Sequence, residues 1–383
     1  MVVLRIAMRF LSSSKSQTAL IVMGLAIGIA IQLFVGLLLQ NLGAGFIGTI
    51  TQNSPHVTVL PGGNATQLEQ WEDMVARVEG IGGVEAVSVA ADSPALVSKG
   101  AMSSSVLVRG FNIDDAARIY SIKEDIYEGV APAEDGQVLL GRELAEGLKV
   151  GVGDNVTIVT AARDTFDFRV SGLFDLGSAA VNERWVIMTL SASQTVFKMG
   201  GNATSIELRV GDVLQARSVA GKVGSALAGE PVKVENWMDL NPDVFSAVSA
   251  QRSSGLMIQS FVLLSLLIGI ASLLSITVIQ KSRQIGILKA MGIRDREASL
   301  IFLFQGFFYG LLGTAVGTVI GTGLFLGFLR ALEASGDSII TSALNVPFIL
   351  GSSLVVIVAA TLASLLPALK SRRLSPVEVI RGG

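Results

Sequence analysis

A short segment between two apolar stretches carries the side chains best suited to binding chemistry. Residues 278–293 read VIQKSRQIGILKAMGI. The cationic side chains there are Lys281, Arg283 and Lys289, and the apolar ones interleaved with them are Ile285, Ile287, Leu288 and Met291. A cation offers an ion pair to a carboxylate or a phosphate, and apolar side chains on a polar surface require a partner that covers them. The pattern therefore indicates non-covalent docking.

Two kinds of partner fit this segment. An interfacial helix would rest its apolar side on lipid while its Lys and Arg side chains reach the headgroups. Against this interpretation, the segment is short, joins two consecutive apolar stretches, and ends at Gly292, a residue type that commonly terminates helices. Docking on a protein is the interpretation that we favour.

The chain lacks the residue constellations of the common enzymes. It contains no GxxxxGK[ST] phosphate-binding loop, no HExxH and no GxSxG. Cysteine is absent and His56 is the single histidine, which excludes disulfides, thiol nucleophiles and multi-histidine metal sites. His56 follows Pro55 at the start of a strand-like run, where a structural role is favoured over a ligand role. We predict no catalytic residue, no metal site and no cofactor bound by this chain.

Composition indicates a membrane protein with a soluble part. Of the 383 residues, 50% are hydrophobic and 16% are charged, and the mean hydropathy is +0.61. Residues 41–255 carry 16 Lys and Arg against 26 Asp and Glu, whereas the rest of the chain carries 13 against 5. An excess of positive charge suits loops beside anionic lipid, and the acidic segment argues against a nucleic-acid partner.

Four stretches are long and apolar enough to cross a bilayer, which requires about 20 helical residues. They are residues 18–40, 256–279, 300–329 and 345–366, and none contains Asp, Glu, Lys or Arg. Because ionisable groups inside a membrane usually mark ion paths or proton relays, their absence argues against a pump, an ion-coupled carrier or an intramembrane protease.

The distribution of Lys and Arg predicts the orientation. These residues cluster before the first stretch, between the second and third, and after the fourth, where they form a basic C-terminal tail, whereas only Arg330 lies between the third and fourth. Positive charge is enriched on the cytoplasmic side. We therefore expect a multi-pass protein of the plasma (inner) membrane with cytoplasmic N- and C-termini and a large extracytoplasmic domain.

Residues 41–255 alternate between strand-like and helix-like runs. The predicted strands are 55–62, 84–91, 104–111, 137–141, 154–160, 166–174, 184–190, 204–212 and 232–237. The predicted helices are 67–81, 113–120, 142–150 and 213–229. Two β-α-β halves flank a strand-rich middle, which suggests a platform of residues 55–110 and 204–240 with an inserted subdomain at 111–203.

The predicted fold is thus four transmembrane α-helices plus a large α+β extracytoplasmic domain inserted between helices 1 and 2. Residues 1–40 form the N-terminus and the first helix, 41–255 the domain, and 256–383 the other three helices. A cytoplasmic coupling loop is expected at 280–299. Periodic apolar residues in 41–54 and 240–255 predict that the first two helices continue into the domain as helical stalks.

Glycines recur at four-residue spacing in two of the spans. Gly24 and Gly28 lie in the first, and Gly313, Gly317 and Gly321 lie in the third. Small residues at this spacing let helix backbones approach closely, so these five are predicted helix-packing residues. The alternative is that glycine is simply common in membrane helices.

Several phrases resemble one family of transporters. The longest is QKSRQIGILKAMGIRDREASLIFLFQGFFYGLLGTAVG, and others are IAMRFL, SPHVTV, VLLGRELAEGLKVGVGDNVTIV, FRVSGLFDLG and LPALKSRRLSPVEVIRGG. The chain resembles, over nearly its full length, ABC transporter permeases of the MacB/FtsX-like family. SPHVTV, VSGLFDLG and ENWMDLNPDVFSAV are most similar to the lipoprotein-releasing branch.

The resemblance implies a mechanism called mechanotransmission. Two permease chains, identical or homologous, pair in the membrane, and a cytoplasmic ABC ATPase dimer that binds ATP and Mg²⁺ docks on the coupling loop. The coupling residues carried over are Lys281, Arg283, Gln284, Ile285, Leu288, Lys289, Met291 and Gly292, with Ile285, Leu288 and Met291 entering the ATPase groove. Gln284 stands where the family commonly has an acidic residue, so a neutral hydrogen bond would replace a salt bridge there.

The resemblance leaves three functions open. The first is release of a lipoprotein or a similar amphiphile to an extracytoplasmic carrier. The second is efflux of a macrolide or peptide through an adaptor, and the third is FtsX-like activation of an extracytoplasmic hydrolase. Each implies a different partner outside the membrane.

Overall fold

The computed structural model describes residues 2–13, 15–334 and 344–372. The chain separates into two compact units. The helical unit comprises Met1–Phe46 and Ala247–Gly383, and the sheet unit comprises Ile47–Ser246. The sheet unit is therefore shorter at both ends than the predicted segment 41–255. The basic C-terminal tail beyond residue 372 lies outside the described residues.

The described residues form the following elements, numbered in chain order. The helices are α1 (Val2–Ser13), α2 (Lys15–Thr51), α3 (Trp71–Glu79), α4 (Ile113–Ala117), α5 (Arg142–Leu148), α6 (Ala179–Asn182), α7 (Leu190–Val196), α8 (Ala216–Ala226), α9 (Trp237–Leu240), α10 (Pro242–Gln280), α11 (Ser282–Ala290), α12 (Asp295–Ala334), α13 (Val346–Ala363) and α14 (Leu365–Arg372). The strands are β1 (Val57–Pro61), β2 (Val84–Lys99), β3 (Met102–Phe111), β4 (Ile126–Gly129), β5 (Gln137–Gly141), β6 (Asn155–Thr160), β7 (Thr165–Phe174), β8 (Trp185–Thr189), β9 (Ser205–Val210) and β10 (Val232–Asn236).

Four helices of the described chain are long and apolar enough to cross a membrane, namely α2, α10, α12, and α13 together with the start of α14. The predicted fold class is thus confirmed. α2 extends to Thr51 and α10 begins at Pro242, so both helices continue beyond their apolar spans; the role of these continuations as stalks stays a prediction. At 1.5 Å per residue the 40 residues of α12 cover about 60 Å, so this helix is longer than the roughly 30 Å hydrocarbon core.

The sheet unit is built on one ten-stranded mixed sheet. Its order is β10-β1-β9-β2-β3-β8-β5-β7-β4, with β6 pairing with β2 and β7 off this path. The 16-residue strand β2 pairs with β9 along its first half and with β6 near its end. It then turns into β3 at Gly100, whose φ of +61° suits glycine in a tight hairpin.

The boundary predicted between platform and inserted subdomain differs from the observed core. Ala95, Val97, Val106 and Val108, assigned to the platform, pack in one cluster with apolar residues of β5, β6, β7 and β8. A second cluster joins β1, β2 and β9 to α3 and α8. β2 belongs to both clusters, and β3 pairs with β2 on one side and with β8 on the other, so the sheet runs through the predicted boundary at residue 110 without interruption.

Every predicted strand is present, and several short elements were missed. β4 has four residues and pairs only at the edge of the sheet, too short for a period-2 pattern to show. α7, sequence LSASQTV, was part of no predicted element, and its start is fixed by Thr189, whose side chain accepts from the Ala192 amide. The N-terminal helix α1 was not predicted either.

A candidate docking loop and the buried sites

The docking segment forms a separate short helix. α10 ends at Gln280, and Lys281 leaves the helical conformation with φ −98° and ψ 6° before α11 begins at Ser282. α11 stops at Ala290, and Gly292, with φ +101°, turns the chain toward α12. The predicted helix stop at Gly292 is thus where the chain reverses.

One apolar side chain of the segment points inward. Ile285 is 1% exposed and packs with Val278 of α10, Ala298 and Phe302 of α12, and Ala368 of α14. Assigning Ile285 to a surface that enters an ATPase groove was therefore wrong, because its side chain is buried within its own chain. Ile285 instead fixes α11 to its neighbouring helices.

Lys289 also acts within the chain. Its side chain is only 6% exposed, and Nζ lies 2.8 Å from a carboxylate oxygen of Asp295, the first residue of α12. The prediction of a docking role for Lys289 is corrected in the same way as that for Ile285. Lys281 is half-buried, with Nζ 5.6 Å from the centre of the Phe10 ring of α1.

The exposed side of the segment is formed by Arg283, Gln284, Ile287 and Met291, which we call the α11 outer face. Ile287 is 47% exposed and Met291 is 78% exposed. Leu288 is half-buried beside them. Positions 283, 287 and 291 are four apart and therefore lie along one side of a helix. That spacing is the signal that could have placed Ile287 among the docking candidates.

The glycines of α12 meet the backbone of α2. A Cβ atom added at Gly317 would lie 2.7 Å from the Ala26 carbonyl oxygen, and one at Gly321 would lie 2.9 Å from that of Ala30. A Cβ at Gly313 would lie 2.6 Å from a side-chain atom of Leu25. These distances leave no room for a larger residue, so the three glycines permit the close approach of α2 and α12.

The glycines of α2 behave differently. A Cβ at Gly28 would meet only the flexible side chain of Leu266, at 2.2 Å, and a Cβ at Gly24 would meet nothing within 4 Å. The packing predicted for Gly24 is therefore wrong within this chain. Gly24 and Gly28 instead line an apolar groove of about 490 Å³ between α2 and α10, whose other wall includes Phe261 and Leu266.

The sheet unit contains a buried ionic cluster that no sequence pattern indicated. Arg109 of β3, 4% exposed, donates from Nε to Asp92 at 2.9 Å and from Nη2 to Glu207 at 2.5 Å. Its Nη1 donates to the Tyr120 hydroxyl at 3.0 Å, and that hydroxyl donates to Glu207 at 2.7 Å. The guanidinium also lies 4.4 Å from the centre of the Trp185 ring. The cluster ties β2, β3 and β9 together.

Burial dominates the protonation equilibria of this cluster. It raises the pKa of Asp92 to about 6, although the Arg109 charge opposes the rise. Burial also raises the pKa of Tyr120 well above its ordinary value. For Arg109 burial lowers the pKa, but the interactions with Glu207, Tyr120 and Asp92 together outweigh this effect, raise the pKa well above its ordinary value and keep the guanidinium ionised. The cluster therefore carries one fixed cation between two carboxyl groups.

His56 lies inside the sheet unit. It is 3% exposed, and its Nδ1 atom lies 3.0 Å from both the amide nitrogen and the carbonyl oxygen of Val210, which links the start of β1 to β9. Burial lowers the pKa of His56. Among the described residues, no group of three or more His, Asp or Glu could hold a metal ion. The geometry supports a structural role for His56.

These features define a class of protein. The chain is a multi-pass membrane protein in which a mixed-sheet domain separates the first membrane helix from the second, and a short anchored helix joins the second to the third. Two family profiles match it, the MacB-like periplasmic core domain at residues 18–226 and the FtsX-like permease C-terminal domain at 256–376. The chain belongs to the MacB/FtsX family of ABC transporter permeases, which confirms the resemblance seen in its motifs.

Relatives of the chain cover nearly its whole length. It is 24% identical over 387 residues to the lipoprotein-releasing system transmembrane protein LolC of Xylella fastidiosa, covering 94% of this chain and 92% of that protein. It is 25% identical over 396 residues to LolE of Haemophilus influenzae, covering 93% and 92%. Among solved structures, the periplasmic region of MacB from Actinobacillus actinomycetemcomitans aligns with 52% of this chain and 95% of its own, at 14% identity and a TM-score of 0.39.

Proposed function

We propose that this chain is the membrane subunit of an ABC transporter that releases lipoproteins or similar amphiphiles from the membrane. The observation that carries the proposal is its alignment with 92% of two relatives named as lipoprotein-releasing system transmembrane proteins. The chain has no phosphate-binding loop motif, so ATP and Mg²⁺ are bound by a separate ATPase dimer. A second permease chain, identical or homologous, completes the membrane part.

The α11 outer face is the proposed contact for the ATPase. Ile287 and Met291 are the apolar side chains available to fill a groove on the partner, with Arg283 and Gln284 beside them. The excess of Lys and Arg in this loop and at the N-terminus supports a cytoplasmic location for α11, with the sheet unit outside.

The anchoring of α11 supports transmission of force. Ile285 packs against both α10 and α12, and Lys289 pairs with the first residue of α12. A displacement of α11 by the ATPase therefore moves the ends of both long helices. α10 is one continuous helix of 39 residues, from Pro242 to Gln280, and Asn241 alone separates it from α9. The motion of α11 is therefore carried along α10 toward α9.

The proposed substrate requires an apolar path. Exposing three acyl chains of about 16 carbons to water, at roughly 0.8 kcal/mol per CH₂, costs about 40 kcal/mol. The tightest non-covalent affinities reach only about 18 to 21 kcal/mol, so binding alone cannot offset this cost. A releasing permease must keep the chains against apolar surface, and the α2–α10 groove is surface of that kind.

The docking proposal is tested by Met291→Asp in the full chain. The wild-type chain, purified gently from membranes, should retain its ATP-binding partner, and the variant should lose it, because a carboxylate replaces the most exposed apolar side chain of the outer face. Leu214→Asp, at an apolar residue that is 42% exposed in the sheet unit, is the matched control and should retain the ATPase. Retention of the ATPase by Met291→Asp contradicts the proposal.

The cargo proposal is tested on the same preparation. Mass spectrometry of material bound to the wild-type complex without ATP should detect acylated protein, and addition of ATP with an extracytoplasmic lipid-binding carrier should release it. Recovery of an adaptor with an outer-membrane channel would favour efflux instead. Recovery of a cell-wall hydrolase would favour the FtsX-like function.

A further inference from the structure

The sheet of this protein ends at β10 with an unpaired edge. β10 is the terminal strand of the sheet order and, among the residues that the structure describes, pairs only with β1. The Gly62 amide donates to the Pro231 carbonyl at 2.6 Å and the Trp237 amide to the His56 carbonyl at 3.1 Å. Because bonding alternates along an antiparallel pair, Lys233 and Glu235 also bond to β1, and Val232, Val234 and Asn236 direct their main-chain groups away from it.

Val234 is the centre of this free edge. Neither its amide nor its carbonyl has a hydrogen-bond partner within the described part of the chain. Exposed strand edges are templates for pairing with another strand. Proteins commonly protect such edges with Lys or Pro, and β10 has Lys233 with Pro231 just before it.

The sequence of β10 is complementary to itself. It reads Val-Lys-Val-Glu-Asn, and an antiparallel copy centred on Val234 places Lys233 of each chain directly opposite Glu235 of the other. Opposite charges at directly opposed positions favour pairing, and like charges disfavour it. A strand with a cation at that position would place like charges opposite Lys233, so the residue that protects the edge also selects the partner.

A groove beside the edge suits the same arrangement. It measures about 480 Å³, lies between α8 and β10, and is lined on the strand side by Val232 and Val234. Along α8 its lining residues are small, including Gly221 and Gly224. An added antiparallel copy of β10 would place its own valines on this side of the sheet, where the groove has room for them.

We infer that β10 pairs edge to edge with β10 of a second copy of this chain, extending the sheet across a two-fold axis at Val234. The two Val234 residues exchange a pair of main-chain hydrogen bonds, and the Lys233–Glu235 ion pair within each strand, 2.5 Å long, becomes part of a four-charge array. This inference rests on the pairing of two permease chains proposed above and names an identical chain as the partner.

Cysteine cross-linking in membranes tests the register. The chain has no cysteine, so only introduced thiols can form a disulfide. Two differently tagged full-length chains, one Lys233→Cys and the other Glu235→Cys, are expressed together and oxidised. Directly opposed residues lie within disulfide distance, so a reducible dimer should appear at twice the 40.0 kDa mass of the chain.

The matched control pairs Lys233→Cys with Lys233→Cys. In the inferred register these positions lie on a diagonal whose Cα atoms are about 7 to 8 Å apart, so this pair should show loss of the dimer band. Protease resistance of the sheet unit in each variant excludes misfolding as the cause.

The same preparation separates this inference from the proposed function. Copies that co-purify through their tags without a Lys233–Glu235 disulfide overturn the pairing of β10 and leave the permease proposal intact. Equal cross-linking in the control also overturns it. If the ATPase co-purifies but the second tag does not, an identical partner is overturned, whereas failure of the ATPase to co-purify counts against the proposed function alone.

Discussion

The interior of the helical unit and the interior of the sheet unit are held together by opposite means. Where α12 crosses α2, Gly317 and Gly321 let the backbone of α2 come close, and Gly313 makes room for the Leu25 side chain. In the sheet unit, Arg109 brings a full charge into the core and surrounds it with Glu207, Asp92 and three aromatic rings. The helix contact depends on the absence of side chains at the three glycines. The sheet core depends on the presence of every hydrogen-bonding partner of Arg109.

The contrast follows from the solvent of each unit. In lipid, apolar side chains gain little by leaving the solvent, so helices associate through close van der Waals contact. In water, burial of apolar surface drives folding, and a buried charge is tolerated when it is fully paired. The two interiors should therefore fail in different ways, through added volume in one and through lost partners in the other.

The largest effect is expected from Arg109→Met. The substitution leaves the Glu207 and Asp92 carboxylates buried without their cation, which should lower the free energy of unfolding of the sheet unit by about 3 to 5 kcal/mol. Denaturant titration followed by tryptophan fluorescence measures this, since Trp185 packs on Arg109. Arg184→Met, at an exposed arginine, is the control, and equal stability of the two variants would show that the cluster is dispensable.

Gly317→Leu should come next. The added side chain would enter the space of the Ala26 carbonyl and Ile29, so the α2–α12 contact should lose about 3 kcal/mol. Gly323→Leu is a matched control on the same helix, because a Cβ there meets nothing within 4 Å. Thermal unfolding of the full chain in detergent should distinguish the two, and identical midpoints would contradict the packing role of Gly317.

Asp92→Asn should change the pH dependence of the sheet unit. With its pKa raised from 3.8 to about 6, Asp92 binds a proton in the folded state but not in the unfolded state between these values. The stability of the wild type relative to the variant should therefore fall as pH rises from 4 to 6, by about 2 kcal/mol, and stay level above that range. A constant difference between the two proteins across this range would contradict the raised pKa.

The smallest effect is expected from Gly24→Ala. The methyl group meets no atom within 4 Å, so the free energy of unfolding should change by no more than about 0.5 kcal/mol. Thermal unfolding of the full chain in detergent measures this change. Gly28→Ala, which meets only the mobile end of Leu266, should behave similarly. A large loss of stability at Gly24 would show that the groove between α2 and α10 is closed in the folded chain.

The docking loop shows how far sequence pattern could go. The mixture of Lys, Arg and apolar residues at 278–293 predicted an amphipathic segment that ends at Gly292, and the structure has α11 there with the chain turning at Gly292. The docking role of the segment stays a prediction. The pattern could not tell which apolar side chains are available, because Ile285 and Ile287 are of one residue type and two positions apart. Ile285 is buried because Val278 of α10 and Phe302 of α12 pack around it, and these residues belong to other helices than α11.

The sequence by itself determined those helices and strands that are marked by a pattern among neighbouring residues. Spans without charged residues and strands with alternating residues were evident from sequence, because hydropathy and period are properties of neighbouring residues. The tertiary structure alone decided which glycines approach a neighbouring backbone, that β2 contributes to two cores, and that Arg109 meets Glu207. Each of these depends on residues distant in the chain brought within a few ångströms, and no local pattern records such a distance.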